Sequence, residues 1–525
     1  METPASGLWT PQPRPLVIRD VVERSRRRMA AKPDAELAAL LEDALYNERK
    51  RLEKSKDESK AEHEVLERLA RALVTDDRHG RIDAACELVG MWADEIHGRF
   101  EPKMYRFATR VLPRALTGLL SSKPSRFRDW DLSPDRRLKI HGDLDLLRQL
   151  CKESTLILVP THLSNLDSPL IGLALHQAGL PPFVYGAGLN LFSNAIMGFF
   201  MHRLGAYTVD RTKQSLLYKD VLKDYSVRCL TTRHHSLFFP GGTRARSGAV
   251  ETKLKKGLLG TGLVAWQEML EAKRPDPDVY VVPLTLSSTL VLEAATLIDD
   301  HLAELGKQRY IITDDEFAEA RMVASFGRRV LDLDASIVAH FGDPLDTLGN
   351  PVSKDPIERH AQAIERRRYV CDRDGLVQRD EQRDHMYTDR LAGEIAAAFP
   401  RGAHVLPTHI VAWVGWRSLE LRTNSRDPFR LVRVPPEARR IPRAKFLERL
   451  GKVMEQVLVG AGAGRWHVDL PPSPSSVLDV AIDRFARFHK TRAVAAVGDD
   501  IVVEDPKLCM YYRNRLLFAN PELNA

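Results

Sequence analysis

The sequence predicts an α/β fold: a mixed, mainly parallel sheet flanked by helices, with a helical N-terminal domain and an α-rich C-terminal extension. Three observations lead there. Between about 126 and 350, short apolar runs at 156–159 (LILV), 236–239, 279–284 (VYVVPL) and 337–341 alternate with helical stretches, the pattern of strands joined by crossover helices. Before that region, apolar residues recur at helical spacing. After it, charged residues crowd positions 358–383, which read as a helix or linker leading into a less decipherable C-terminal part. The expected division is 1–125, 126–350 and 351–525.

A chain of 525 residues exceeds one ordinary hydrophobic core. Its 44% hydrophobic and 28% charged content excludes disordered and fibrous classes. The formal charge of +7 favours acidic partners, whether anionic lipid, acidic carrier protein, phosphorylated metabolite or nucleic acid, without choosing among them. Cys86, Cys151, Cys229, Cys371 and Cys509 are scattered and form no Cys-x-x-Cys pair. That spacing argues against a disulfide framework or structural zinc site and for a reducing, cytosolic location. Residues 1–16 contain prolines and no apolar core, so they do not read as a secretory signal.

In the N-terminal part, Leu37, Leu40, Leu41 and Leu45, then Val65, Leu66, Leu69 and Leu73, mark two amphipathic helices. Arg24, Arg26, Arg27 and Arg28 form a basic cluster, either solvated or in contact with anionic lipid. Arg106, Arg110 and Arg114 recur every four residues, with Met104, Phe107 and Val111 on another side. Such a helix either lies on a membrane surface or packs against the next domain. Residues 168–201 contain no Asp, Glu, Lys or Arg, but Pro181-Pro182 and several glycines interrupt them. A buried helix, a turn and a second apolar helix are expected, with a membrane-dipping surface around 189–201 as the alternative.

Chemistry concentrates in four segments. Thr161 to Pro169 follows the first apolar strand, and Ser168-Pro169 suits the start of a helix. His162 and Asp167 therefore share a strand-to-helix loop. On a regular helix their spacing would set them about 140° apart, so they meet only if the loop curls. A carboxylate holding one imidazole nitrogen would leave the other to take a proton from a hydroxyl; the plainer reading is a surface histidine beside a dipole-stabilising aspartate. The second segment ends a short strand at Arg211, a phosphate anchor or a surface ion-pair partner. In the third, Gly241 and Gly242 expose bare amides beside Thr243, Arg244 and Arg246, giving either an anion cradle or an ordinary turn. No Gly-Lys-Ser/Thr follows, so it is not a Walker loop. Pro283, in Val282-Pro283-Leu284, closes a strand. The pair His234-His235, weighed with His162 and Asp167, does not form a recognisable metal-ligand spacing.

In order and spacing, the His-x4-Asp motif, the Gly…Arg strand, the Phe-Pro-x-Gly-Thr-Arg-x-Arg turn and the Val-Pro strand resemble the glycerolipid acyltransferases. The resemblance covers about 140–344, including Gly188-Leu189-Asn190-Leu191 and Phe341-Gly342-Asp343-Pro344. The long flanking regions and the Tyr511-Tyr512-Arg513-Asn514 segment are similar to the glycerol-3-phosphate and dihydroxyacetone-phosphate branch. The resemblance implies transfer of a fatty acyl group from an acyl-CoA or acyl-carrier-protein thioester to the sn-1 hydroxyl of glycerol 3-phosphate. Dihydroxyacetone phosphate, a lysophospholipid, or a non-catalytic lipid-binding role are the alternatives. It implies His162 as base and Asp167 as its partner. Arg211, Gly242 and Arg244 would bind the acceptor phosphate, with Thr243 and Arg246 lining the same loop and Pro283 shaping the acyl-donor side. It further implies no metal or other cofactor, no nucleic-acid partner, and a peripheral place on the cytoplasmic face of a membrane. Two departures stand out: Gly241 replaces the family's glutamate, and Ser288 stands where a tyrosine is usual.

Overall fold

The computed structural model describes residues 12–54, 60–74, 77–109, 138–189, 195–306, 337–519 and 523. Four helices come first: α1 (Arg14–Ala31), α2 (Asp34–Lys54), α3 (Lys60–Val74) and α4 (Arg78–Ile96). The apolar spacing read from the sequence is the buried stripe, with Leu37, Leu40 and Leu41 on α2 and Val65, Leu66 and Leu69 on α3. The basic cluster has another use. Arg24 meets Glu268 at 2.7 Å, Arg26 meets Asp83 at 2.6 Å, Arg27 meets Glu23 at 3.0 Å and Arg28 meets Asp224 at 2.5 Å. Each guanidinium is committed to a carboxylate, and two of them fasten α1 to the next layer. A helix beginning at 102 is described through 109; Arg110, Val111, Pro113 and Arg114 lie outside the described residues.

The central layer alternates strands and helices. Its elements are β1 (Leu138–His141), α5 (Leu144–Glu153), β2 (Thr155–Pro160), α6 (Asp167–Gln177), β3 (Val184–Gly188), α7 (Ala195–Arg203) and β4 (Ala206–Val209). Then come α8 (Leu216–Thr231), β5 (Ser236–Leu237), α9 (Gly260–Glu271), β6 (Val279–Ser288), α10 (Ala294–Leu305), β7 (Ile337–Phe341) and β8 (Leu345–Asp346). The strands follow the order β1-β7-β6-β2-β5-β3-β4, with β8 paired to β6. All pairings are parallel except those of β6 with β7 and β8. The fold is the mixed, mainly parallel α/β sheet expected. The carboxyl ends of β2, β5, β3 and β4 gather along one edge, where open α/β sheets place their ligands.

Residues 168–201 depart from the expected pair of helices. They run α6, β3, α7, because five residues (VYGAG) pair with β4 and β5 as a strand too short and glycine-rich to show a strand signature. Leu189 and Phe199 are exposed there. Asn190 and Leu191 lie outside the described residues. Among the described residues, no helix is long and apolar enough to cross a membrane.

The C-terminal region contributes α11 (Pro356–Arg367), α12 (Glu381–Arg401), β9 (His404–Val405), α13 (Pro407–Thr423), β10 (Arg440–Pro442) and α14 (Arg443–Gly462). It continues through β11 (His467–Val468), α15 (Pro474–Phe488), β12 (Ala495–Val497), β13 (Asp500–Val502) and α16 (Pro506–Asn514). One hydrophobic cluster joins Leu158, Ile171 and Leu284 of the sheet layer to Val411, Trp413, Tyr511 and Leu516, so packing is continuous across residue 350. All five cysteines are unpaired.

Candidate acyl-transfer site

Thr161 clamps the end of β2 against β6. Its N–H donates to the Leu284 carbonyl at 2.9 Å, and its Oγ1 accepts from the Leu286 N–H at 3.0 Å. Beyond this anchor the chain curls around Asp167. One carboxylate oxygen, Oδ2, accepts the N–H groups of Leu163 at 2.5 Å and Ser164 at 2.9 Å, and lies 2.8 Å from His162 Nδ1. That wrap lets a five-residue spacing become a contact. It also starts α6 at Asp167, so Ser168 lies inside the helix instead of capping it at Pro169, and no side chain caps its beginning. Asp167 is 3% exposed. A carboxylate can only accept, so Nδ1 carries the hydrogen and Nε2 is the basic nitrogen. Among the described residues Nε2 has no hydrogen-bond partner, and the ring stacks on Phe239 with centroids 4.0 Å apart.

The backbone of His162 joins this loop to the glycine turn. Its carbonyl accepts the Ala245 N–H at 2.7 Å, and its own N–H donates to Glu251 Oε1 at 2.7 Å. Enclosure pushes the Glu251 carboxyl above its usual range, against the bond from His162. A Cβ at Gly241 would lie 3.5 Å from Glu251 Oε1. The position that lacks a carboxylate thus has one beside it, supplied from ten residues later.

Gly242 has φ +73°, and a side chain there would overlap the Lys255 ammonium. Arg244 lies 3.5 Å from Glu293, which also accepts the Ser164 hydroxyl at 2.8 Å and the Asn165 N–H at 2.9 Å. Glu293 therefore ties Arg244 to the loop carrying His162. Arg246 is 3.4 Å from Glu304, and Thr243 is exposed. Arg211 lies in the turn two residues beyond β4, on the same sheet edge as His162, exposed, with β4 three strand spacings or about 14 Å from β2. Pro283 is buried within β6 opposite Val159, its carbonyl accepting the Gly342 N–H at 2.8 Å. The structure thus joins His162 and Asp167 to the Gly242–Arg246 turn, places Arg211 further along the edge, and sets Pro283 inside the sheet. His234 and His235 are engaged elsewhere, with Thr232 and the Leu156 N–H.

A narrow apolar groove opens beside Asp167, walled by Leu163, Leu166, Leu170, Leu286, Leu290 and Val291. The end of the chain supports it. The Tyr512 hydroxyl accepts the Val291 N–H at 3.1 Å and lies 2.7 Å from His489 Nε2. Arg515 is buried and donates to the carbonyls of Gly248 at 3.0 Å and Leu286 at 3.1 Å, bridging the glycine turn to β6. Burial draws its pKa down, while Tyr511, Glu251 and Asp167 act against that pull. Asn514 adds a bond to the Ser247 carbonyl at 2.8 Å. Of these supports, the sequence signalled only the Tyr511-to-Asn514 segment. Glu251, Glu293 and Arg515 carry no local mark.

Residues 137–287 match the Acyltransferase family model. A dihydroxyacetone phosphate acyltransferase of Oryctolagus cuniculus is 29% identical over 201 residues, 38% of this chain and 27% of the relative. The human protein of the same name gives the same figures. A glycerol-3-phosphate acyltransferase of Xylella fastidiosa (strain M12) is 25% identical over 205 residues, 38% of this chain and 22% of the relative. The chain thus spans about a quarter of the length of the curated relatives it matches. Sequence and the loop around His162 converge on the same stretch: residues 137–287, which hold the His162–Asp167 pair, match the model of the acyltransferase family.

Proposed function

We propose that the protein transfers a fatty acyl group from a CoA or acyl-carrier-protein thioester to the sn-1 hydroxyl of glycerol 3-phosphate. The observation that carries this reading is His162 Nδ1 held 2.8 Å from a buried, triply engaged Asp167, with Nε2 left over. Nε2 takes the hydroxyl proton as the acceptor oxygen bonds to the thioester carbonyl carbon. The tetrahedral intermediate collapses, the carbon–sulfur bond breaks, and the departing thiolate takes the proton back from His162. The products are one ester and one thiol. General-base help of this kind is worth roughly 10²- to 10⁴-fold.

The surroundings suit both substrates. The groove beside Asp167 offers apolar walls for an acyl chain. Arg244, Arg246 and the Lys255 ammonium beside Gly242 supply cations for a phosphate, with Arg211 further along the edge. Glu251, braced against the His162 backbone, offers a carboxylate where Gly241 has none. The reading puts the protein peripherally on the cytoplasmic face of a membrane, and exposed Leu189 and Phe199 offer apolar contacts for such a surface.

The test is acylation by the full chain with one radiolabelled acyl thioester and three acceptors: glycerol 3-phosphate, dihydroxyacetone phosphate and a lysophospholipid. Product with glycerol 3-phosphate above the other two is expected. A preference for either other acceptor corrects the substrate. Thioester binding with no product from any acceptor contradicts the reaction.

A further inference from the structure

Four histidines from distant parts of the chain meet at one seam. His141 ends β1 opposite His340 of β7, and His404 of β9 lies opposite His467 of β11 in the same parallel manner. Parallel register places each pair on one face, and the two pairs pack together. Ring centroids are 4.5 Å apart for His340–His467, 4.8 Å for His404–His467 and 4.7 Å for His141–His404. One nitrogen from each of His340, His404 and His467 lies within 4.8 Å of the others.

We infer that His340, His404 and His467 form a binding site for a divalent transition-metal ion of the zinc class, a staple between the sheet and the C-terminal region. Imidazole nitrogens suit such ions, and three of them with a water complete a tetrahedron. Tetrahedral zinc–nitrogen bonds of ~2.0–2.1 Å require nitrogens about 3.4 Å apart. His340 Nδ1 and His404 Nε2 are 3.4 Å apart, long for a hydrogen bond between them. His467 is exposed and free to close the remaining gap, whereas His404 is buried and fixed. Its own N–H donates to the Ser287 hydroxyl at 3.0 Å, setting β9 against β6.

The chain is shaped to bring these rings together. A side chain at Gly402 would press within 3.2 Å of the His340 ring and 2.8 Å of the Thr285 hydroxyl, so this position needs a glycine for the close approach. Lys139 and Asp469, two residues before His141 and two after His467, form an ion pair along the same seam. The site is separate from the acyl-transfer groove. His340 pairs with Thr285, while Leu286, Ser288 and Ile337 line the groove, and alternation along the strands puts these on opposite faces. The metal is therefore structural. It closes two long chain segments at once, and its binding free energy adds to folding.

The test is titration of the untagged full chain with cobalt(II), read by the visible absorption of tetrahedral cobalt, then displacement by zinc. One equivalent is expected to bind at submicromolar dissociation constant. His467→Ala and His340→Ala should each weaken binding at least ~10-fold, with the exposed His79→Ala unchanged. Zinc should raise the thermal midpoint of the parent protein and not that of His467→Ala. Because His467 is exposed, its alanine variant keeps the fold. The absence of a saturable cobalt spectrum, or equal affinity in His467→Ala, overturns the site. None of these readouts involves acyl transfer.

Discussion

The two helical regions that flank the sheet meet it differently. The N-terminal helices pack on α8, β3 and β4 through an apolar stripe, with Arg24 and Arg28 pinning α1 to Glu268 and Asp224. They brace a side of the layer and, among the described residues, touch neither His162 nor the groove. The C-terminal region enters the site itself. Arg515 holds the Gly248 and Leu286 carbonyls, Asn514 holds Ser247, and Tyr512 holds Val291 at the groove wall. One helical region supports the fold; the other completes the surroundings of the candidate site.

That contrast can be broken by mutation, and the largest effect falls at Arg515. Arg515→Ala removes two charged hydrogen bonds, to the Gly248 and Leu286 carbonyls, from the interior, which should cost about 3–5 kcal/mol in denaturant unfolding. Acyl transfer should fall as well. Unchanged stability would mean that the C-terminal region does not hold the turn.

Next is Glu251. Glu251→Ala leaves the His162 N–H without its acceptor and should cost roughly 1–3 kcal/mol, with a matching fall in turnover. Glu251→Gln keeps an acceptor for the His162 N–H, so the stability loss of the alanine variant should not recur. It also has a pH signature. Burial raises the folded carboxyl pKa, so the group's stabilising contribution is complete below the unfolded value and fades as pH rises through the folded one. Glu251→Gln should therefore be the more stable protein at alkaline pH, with the difference closing near about pH 4. The opposite trend in thermal melts would show that the carboxylate is stabilised as an anion.

The smallest effect belongs to the N-terminal brace. Arg24→Ala gives up a partly exposed pair with Glu268, about 1 kcal/mol. Turnover of the folded protein at temperatures well below unfolding should stay at the parent value. A loss of kcat with an unchanged melting temperature would erase the distinction between the two regions.

What was legible in the sequence follows the same division. His162 and Asp167 stand five residues apart on one loop, and the Gly242–Arg246 turn is a single segment, so local order revealed both. β2, β6 and β7 announced themselves as apolar runs. β3 did not, since VYGAG becomes a strand only through its neighbours. Arg24, Arg26 and Arg28 read as a basic surface because their carboxylate partners, Glu268, Asp83 and Asp224, come from other parts of the chain. Glu251, Glu293 and Arg515 were hidden for that reason too: nothing nearby in sequence marks them, and their roles exist only once β6, α10 and α16 are in place. The histidine seam depends on the register of two-residue strands, which no periodicity can signal.

The most direct measurement is steady-state acyl transfer by His162→Ala, with folding checked by its melting temperature. With glycerol 3-phosphate as acceptor, turnover should drop by ~10²- to 10⁴-fold while the protein stays folded. A folded His162→Ala protein that works at the parent rate would contradict the role of the His162–Asp167 pair.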